Sequence, residues 1–307
     1  MNYVDIQVNG YAGVTFNGDP LTDEQFEHLG ARLQAGQVRA ILPTIVTGDL
    51  KKMATRLASL RKLIDQSAVT RQLMPAFHIE GPCISPADGY RGAHPAQHVK
   101  PPSRQLLEPL IDAAGGPQRV AMLTLAPEFD QDFAVTRWLT ELGIIVCAGH
   151  TDASRQVLGE AHQAGLSFYT HLGNGSAKLM DRHDNIITRI LSIDTLRASL
   201  IPDGHHLPFW LVRSWVNAYG RQRFVFTTDC VAAADAPPEF QMPQGRERVH
   251  LDHGPVCRLT GTPYLAGSAI TMRQGYDFAL QHIGLSAADA KALCCDQPAA
   301  LIAKWLA

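Results

Sequence analysis

The chain has 307 residues, of which 46% are hydrophobic and 18% charged, and its formal net charge at pH 7 is -2. This balance gives no reason to expect a nucleic acid or a membrane surface as a partner, and no apolar run reaches the roughly 18 residues that predict a membrane-spanning helix. We expect a globular catalytic domain that covers residues 1–307, because α/β barrels of this length are often one unit.

The N-terminus and the cysteines bear on the cellular compartment. The first ten residues, MNYVDIQVNG, lack the pattern of a signal peptide. No two cysteines have the CxxC spacing, and the adjacent pair is a poor disulfide; the six are Cys83, Cys147, Cys230, Cys257, Cys294 and Cys295. We therefore expect reduced thiols and a cytoplasmic protein.

Short segments rich in β-forming residues recur along the whole chain. The predicted strands are 3–9, 38–45, 73–79, 119–125, 143–148, 166–171, 197–201 and 223–228. Most are continuous apolar runs, which are typical of strands covered on both faces. Amphipathic helical segments lie between most of them. This alternation predicts an α/β fold of the (β/α)8 TIM-barrel type.

Several connecting segments carry signals for their ends. The segment 21–36 has Thr22 followed by Gln25 three residues later, a capping-box pattern, and the segments 151–165 and 207–220 end in glycine. After the last predicted strand, a proline-rich surface loop is expected at 234–245 and a hairpin at 248–261. Two helices, within 267–282 and 286–304, are expected to pack on the barrel.

Polar residues follow the predicted strands rather than precede them. Glu80, His150, His171 and Asp229 all lie at or just after a predicted carboxyl end. In a barrel these ends converge on one mouth, where active sites are built. One carboxylate and two imidazoles suit zinc, and three protein ligands leave a fourth position open for catalysis. Asp229 could then take a proton from water.

Nine short motifs occur in an order that resembles the N-acetylglucosamine-6-phosphate deacetylase family of the amidohydrolase superfamily, over nearly the whole chain. The motifs are VDIQVNGYAG (4–13), HIEGP (78–82), RGAHP (91–95), TLAPE (124–128), AGHTDA (148–153), THLGN (170–174), PDGHH (202–206), TTD (227–229) and LAGSAITM (265–272). The resemblance implies a barrel hydrolase that releases acetate and leaves an amino-sugar phosphate.

The same resemblance implies catalytic roles for matching positions. One divalent metal ion, zinc, would be bound by Glu80, His150 and His171. Asp229 would activate water and then protonate the leaving amine, and His94 would stabilise the oxyanion.

Further positions are implied to bind substrate. The sugar-phosphate residues are Asn174, Gly175, Arg182 and His206, with Arg182 supplied across a homodimer interface. Gln7 and Asn9 stand where many amidohydrolases carry His-x-His, and we assign both to substrate binding. Because carboxamides are poor zinc ligands, we expect a mononuclear site.

The sequence also departs from the family. Most of the family's small β-sandwich is expected to be absent. Gly173 stands where the family has an aromatic residue, and Gly175 and Ser176 stand where it has a small residue and a methionine. These differences predict a wider pocket at the sugar end. The function could therefore be deacylation of a different N-acyl substrate or amino-sugar epimer, and a further alternative is an inactive barrel used for binding.

Individual residues have structural interpretations as well. Asp229 could cap a turn, and His94 could be a solvated loop residue. Arg182 lies in the polar segment DRHDN, which is typical of an exposed helix start. His78 shares a strand face with Glu80 and is expected in the barrel interior, behind the site.

Overall fold

A computed structural model of the chain describes residues 1–237, 240, 249–251 and 256–307. The strands within these ranges are β1 (Tyr3–Val8), β2 (Gly10–Tyr11), β3 (Val14–Thr15), β4 (Val38–Val46), β5 (Phe77–Glu80), β6 (Val120–Leu125), β7 (Ile145–Ala148), β8 (Phe168–Tyr169), β9 (Arg197–Leu200), β10 (Phe224–Phe226), β11 (Val249–Leu251), β12 (Val256–Leu259) and β13 (Leu265–Ser268).

Eight of these described strands form a nearly closed parallel barrel. Strand β1 and strands β4 to β10 are neighbours in chain order, and a parallel bridge from Val8 to Cys230 connects the two ends of the sheet. The predicted (β/α)8 fold is confirmed, and each of the eight predicted strands has its counterpart. Because all strands run the same way, their carboxyl ends lie on one face of the barrel.

Helices follow most of the barrel strands. Their bounds are α1 (Asp23–Ala35), α2 (Leu50–Ile64), α3 (Ala68–Leu73), α4 (Arg104–Ala114), α5 (Ala134–Glu141), α6 (Arg155–Gln163), α7 (Ile186–Leu191), α8 (Phe209–Tyr219), α9 (Met272–Phe278), α10 (Ala287–Lys291), α11 (Gln297–Leu301) and α12 (Ala303–Leu306). Short 3-10 turns and two π-helical turns, Ala279–Ile283 and Ala292–Asp296, complete them.

The helix ends that the sequence marked by a capping box or a terminal glycine are confirmed. The side chain of Thr22 caps α1 by accepting a hydrogen bond from the backbone N–H of Gln25. The side chain of Gln25 in turn accepts one from the backbone N–H of Thr22. Gly220 caps the end of α8 with a φ of 82°, and Gly165 follows α6 with a φ of 117°. Glycine suits these positions because they require a positive φ.

Two boundary predictions were wrong. The strand predicted at 73–79 begins at Phe77, because residues 68–73 form a helix whose N-cap is Ser67. The closing helix predicted from 267 begins at Met272, because residues 265–268 pair as β13 with β12. The predicted hairpin exists as the antiparallel pair β11 and β12, although residues 248 and 252–255 lie outside the described ranges. Most of the predicted loop at 234–245 also lies outside them.

The barrel interior is apolar at the end opposite to the mouth. A buried cluster inside the strands includes Val4, Ile6, Phe168 and Val225, and Ile302 from the C-terminal segment packs against it. A larger cluster lies between the strands and the surrounding helices. Glu80, His150, His171 and Asp229 lie at or just after the opposite, carboxyl ends of their strands.

The structure also bears on the compartment predictions. All six cysteines are buried and free, as expected for reduced thiols. Among the described residues, no helix has both the length and the apolar character needed to cross a membrane.

Candidate active site

Three predicted site residues have an unusual backbone conformation directly after their strands. His150, His171 and Asp229 have positive φ angles of 51°, 37° and 51°. Non-glycine residues rarely adopt this left-handed region, and those that do cluster at functional sites. The conformation turns each side chain out of the strand direction at the mouth of the barrel.

The predicted metal ligands meet at one point. Oε1 of Glu80 lies 2.7 Å from Nε2 of His171 and 3.3 Å from Nε2 of His150. All three residues are buried, and their candidate ligand atoms lie within 4.8 Å of one another. Ligands bound at about 2.0–2.1 Å around a tetrahedral zinc ion are roughly 3.3 Å apart, so the spacing and the donor set fit one ion.

The ring of His150 is fixed by its surroundings. Its Nδ1 donates to the carbonyl oxygen of Tyr90 at 2.8 Å, which leaves Nε2 to face the other two ligands. A β-carbon on Gly175 would lie 2.6 Å from Nδ1 of His150, and Gly175 has a φ of 56°. Gly175 is therefore required for close packing against a metal ligand, and no contact of its own with a phosphate is needed to explain it.

Burial and hydrogen bonding set the charges of the ligand set. Burial by itself raises the pKa of Glu80, but hydrogen bonds from His150 and His171 outweigh it and hold that pKa well below its usual value. Burial lowers the pKa of His171, yet its hydrogen bond to Glu80 and the carboxylate charge raise it overall. The site therefore keeps Glu80 ionised, as a ligand for a cation must be.

His94 lies beside the ligand set and is buried. Its Nε2 is 3.2 Å from Nε2 of His150. Burial, followed by the nearby His150, lowers the pKa of His94 to about 3, so its ring is neutral at neutral pH. The alternative that His94 is a solvated loop residue is wrong.

Asp229 is buried at the same mouth. Its Oδ1 accepts a hydrogen bond from Nδ2 of Asn9 at 2.7 Å. Burial and the negative charge of Glu80 raise the pKa of Asp229 to about 7. A carboxyl group with such a pKa can both take and return a proton near neutral pH, as general acid–base catalysis requires.

The predicted sugar-phosphate residues are less well assembled. Asn174 borders the cavity described below. The side chain of His206 is buried, although the residue as a whole is partly exposed. Its Nδ1–H donates to Oδ2 of Asp203 at 2.7 Å, and its Nε2 has no partner among the described residues. Arg182 is exposed and does not border the cavity. In this one chain, the structure does not bring Arg182 to the other site residues.

Two further predictions concern the lining of the pocket. Gln7 is buried, and neither its oxygen nor its nitrogen has a partner among the described residues, but it does not border the cavity. Gly173 does not widen the cavity, because a β-carbon there would lie 2.6 Å from Cδ2 of Leu207. Leu207 thus fills the space that a larger residue at 173 would need.

A cavity of about 1210 Å³ opens at the mouth of the barrel. The predicted site residues on its walls are Asn9, Glu80, His94, His150, His171, Asn174 and Asp229. A volume of this size is ample for a small sugar phosphate. The cavity thus places the ligand set and the buried carboxyl of Asp229 against the same bound molecule.

The sequence did not reveal two groups that hold His150 and the loop after it in place. Glu128 accepts hydrogen bonds from the hydroxyl of Thr151 and, at 2.9 Å, from the backbone N–H of Asp152, and so fixes the loop after His150. Its place in the motif TLAPE was a signal without an assigned role. The carbonyl of Tyr90 gave no signal, because every residue has a carbonyl group.

The chain is similar to curated proteins that are named as deacetylases of amino-sugar phosphates. N-acetylgalactosamine-6-phosphate deacetylase from Shewanella sp. is 29% identical over 98% of this chain and 73% of its own length. N-acetylglucosamine-6-phosphate deacetylase from Bacillus subtilis is 30% identical over 89% of this chain and 67% of its own length. No protein-family model matches the chain.

Solved structures show the same relationship. N-acetylglucosamine-6-phosphate deacetylase from Pasteurella multocida has a TM-score of 0.85 and 27% identity, with 99% of this chain and 76% of that chain covered. A variant of the Mycobacterium smegmatis enzyme in complex with N-acetyl-D-glucosamine-6-phosphate has a TM-score of 0.85 and 25% identity, with 98% and 77% covered. The chain belongs to the N-acetylglucosamine-6-phosphate deacetylase family.

Proposed function

We propose that this protein is a metal-dependent hydrolase that removes the acetyl group from N-acetylglucosamine 6-phosphate, giving acetate and the amino-sugar phosphate. The observation that carries the proposal is the convergence of Glu80, His150 and His171 beside the buried carboxyl of Asp229, on the wall of one cavity. Relatives that carry out this reaction support the choice of substrate.

The ligand set has a defined part in the reaction. Glu80, His150 and His171 would hold one zinc ion. When bound, zinc supplies Lewis acidity, which polarises the acetamide carbonyl and makes water a nucleophile at neutral pH. The contact of His150 with Tyr90 fixes the ligand geometry before the substrate arrives.

The protein's own groups then move the proton and hold the charge. Asp229 takes a proton from the attacking water and returns it to the nitrogen of the substrate as the carbon–nitrogen bond breaks. His94 is neutral and lies 3.2 Å from His150, so it can donate a hydrogen bond to the oxygen on which negative charge develops. Asn9 orients Asp229 for this transfer.

The far end of the substrate requires donors for a phosphate. Asn174 lies on the cavity wall, and the buried Nε2 of His206 has no partner among the described residues. Because Nδ1–H of His206 donates to Asp203, Nε2 can donate to a phosphate when the ring is protonated, and we assign both residues to substrate binding. Asn9 lies on the cavity wall and is proposed to bind the substrate as well, whereas Gln7 does not border the cavity and its predicted contact with the substrate is not part of the proposal. Arg182 is exposed, and we assign it to the site of a second copy in a homodimer.

The remaining assignments belong to the same proposal. Residues 1–307 act as one catalytic unit in the cytoplasm, where six free buried thiols are stable. A second candidate substrate is N-acetylgalactosamine 6-phosphate. The Shewanella relative favours it, because that protein acts on the galacto epimer and aligns over 98% of this chain.

Acetate release tests the proposal. The zinc-loaded chain is supplied with the 6-phosphates of N-acetylglucosamine and N-acetylgalactosamine and with both unphosphorylated sugars. We expect acetate from a 6-phosphate, with the larger kcat/KM for the gluco epimer. A larger value for the galacto epimer would select the second candidate. No acetate from any of the four would contradict the proposal and leave a different N-acyl substrate or an inactive barrel.

A further inference from the structure

The first and last barrel strands are joined differently from the other neighbouring pairs. Strand β1 pairs with β4, and β10 pairs with β9, in parallel ladders. Between β1 and β10, the described residues show one bridge, from Val8 to Cys230. Asp229 directly precedes Cys230, so the proposed base stands at this seam of the barrel.

Asp5 of β1 crosses the seam. Its Oδ1 accepts hydrogen bonds from the hydroxyl of Thr227 at 2.6 Å and from the backbone N–H of Thr228 at 3.1 Å. Its Oδ2 accepts a hydrogen bond from the hydroxyl of Thr228 at 2.5 Å. Side-chain bonds thus connect the two strands where regular backbone pairing is lacking.

The environment of Asp5 is unusual for a carboxyl group. The residue is 4% exposed, and among the described residues no cation pairs with it. Burial raises the pKa of Asp5, and its hydrogen bonds from Thr227 and Thr228 oppose that rise. Burying a carboxyl group without a cation is unfavourable unless its hydrogen bonds offset the cost. This arrangement indicates a role beyond packing.

The backbone at Asp229 needs such support. Its φ of 51° is unfavourable for a non-glycine residue and persists where neighbours hold it in place. Ser268 bonds the carbonyl oxygens of Thr228 at 2.7 Å and Asp229 at 3.0 Å, and Asn9 bonds the carboxylate of Asp229. Asp5 holds Thr227 through its hydroxyl group and Thr228 through both its backbone N–H and its hydroxyl group.

We propose that Asp5 is a positioning residue for the base, because its carboxyl group fixes Thr227 and Thr228 and thereby sets the direction of the Asp229 side chain. The inference rests on the proposed function, in which Asp229 moves the proton. None of the hydrogen bonds of Asp5 among the described residues reaches Glu80, His150 or His171, so the effect on the metal site should be small.

The first test compares Asp5→Ala with Val4→Ala, which removes a buried apolar group from the same strand. Both variants of the full chain are loaded with zinc, and kcat, KM and zinc stoichiometry are measured with N-acetylglucosamine 6-phosphate. We expect Asp5→Ala to lower kcat by about 10–100-fold with KM and zinc content within about twofold, since a small misplacement of a catalytic group has effects of this size. Val4→Ala should lose stability and keep its kcat.

The second test keeps Asp5 and changes its partner. Thr228→Val removes the hydroxyl at nearly constant shape, and Thr228→Ser retains it. Thr228→Val should lower kcat by about tenfold, Thr228→Ser should restore most of it, and a crystal structure of the valine variant should show the Asn9–Asp229 bond broken. The hydroxyl of Thr228 also accepts the backbone N–H of Cys230 at 3.2 Å. Thr227→Val, which removes a hydroxyl that donates to Asp5, should lower kcat similarly and decides the matter if Asp5→Ala does not fold.

Two results would overturn the inference. One is a folded, zinc-loaded Asp5→Ala or Thr228→Val protein with wild-type kcat, and the other is an unchanged Asp229 conformation in the crystal structure of Thr228→Val. The crystal structure does not depend on turnover. Failure of the positioning role is therefore distinguishable from failure of the proposed function, which would appear as a wild-type protein that releases no acetate.

Discussion

The proposed metal ligands and the proposed phosphate residues are placed differently. The metal ligands line the cavity, whereas His206 and Arg182 do not border it. At the metal end, the ligand atoms of Glu80, His150 and His171 come together within one chain, and Asp229 is buried at the same barrel mouth. At the phosphate end, His206 is turned toward Asp203 and Arg182 is exposed on the surface. The residues proposed to act at the reacting centre therefore meet within one copy, whereas the residues proposed to bind the phosphate do not.

This difference follows from where the residues lie in the fold. The metal-end residues stand at strand ends, whose positions are fixed by the barrel ladder and by buried hydrogen bonds. Arg182 lies in a loop between β8 and α7, where the backbone is less constrained by the barrel. The chemistry should consequently be sensitive to small changes at strand ends, and substrate preference should be controlled by loops and by assembly.

The largest expected effect is at the metal end. Glu80→Ala, His150→Ala or His171→Ala removes one of three ligands, and each should lower metal content and abolish acetate release while the barrel stays folded. Metal analysis after zinc loading, with circular dichroism as the control for folding, checks this. Unchanged metal content in all three variants would remove the ligand assignment.

The next effect concerns the base. Asp229→Asn keeps the size of the side chain and removes the proton acceptor, so kcat should fall by roughly 10²–10⁴-fold with zinc retained. Because the base acts when ionised, the wild-type kcat/KM should rise with pH through the pKa of Asp229, which burial and Glu80 raise to about 7. A bound cation should shift this rise in kcat/KM to lower pH, because it favours the ionised form of Asp229. Near-normal turnover by Asp229→Asn would exclude Asp229 as the base.

A smaller effect is expected at the phosphate end. Arg182→Ala should lower kcat/KM for phosphorylated substrates by about 10–100-fold, the range for loss of a charge-assisted hydrogen bond, and leave unphosphorylated sugars almost unchanged. His183→Ala, in the same exposed segment, is the matched control. Solution mass should give at least a dimer. A monomer without preference for phosphate would contradict the sugar-phosphate assignment.

The smallest effect tests the packing of Gly175 against the ring of His150. Gly175→Ala places a β-carbon 2.6 Å from Nδ1 of His150 at a φ of 56°. The ring must move, so zinc affinity should fall by about tenfold, equivalent to roughly 1–2 kcal/mol of backbone strain and displaced contact. Zinc titration against a competing chelator measures it, with Gly159→Ala on an outer helix as the control.

The sequence predicted the metal ligands better than the residues that pack around the site and hold it in place. Continuous apolar runs marked the strands, and the rule that carboxyl ends converge was enough to bring Glu80, His150 and His171 together. Asp5 could have been found, because a charged residue inside an apolar strand needs a buried partner. The filling of the Gly173 space by Leu207 could not, because it depends on how two loops pack.

Zinc titration of the metal-free protein tests the central claim most directly. The chain is stripped with a chelator, zinc is added stepwise, and acetate release from N-acetylglucosamine 6-phosphate is followed at each step. We predict that activity is absent at the start, rises linearly and reaches its maximum at one zinc ion per chain. Full activity without metal, or a maximum reached only at two ions per chain, would contradict a single catalytic ion held by Glu80, His150 and His171.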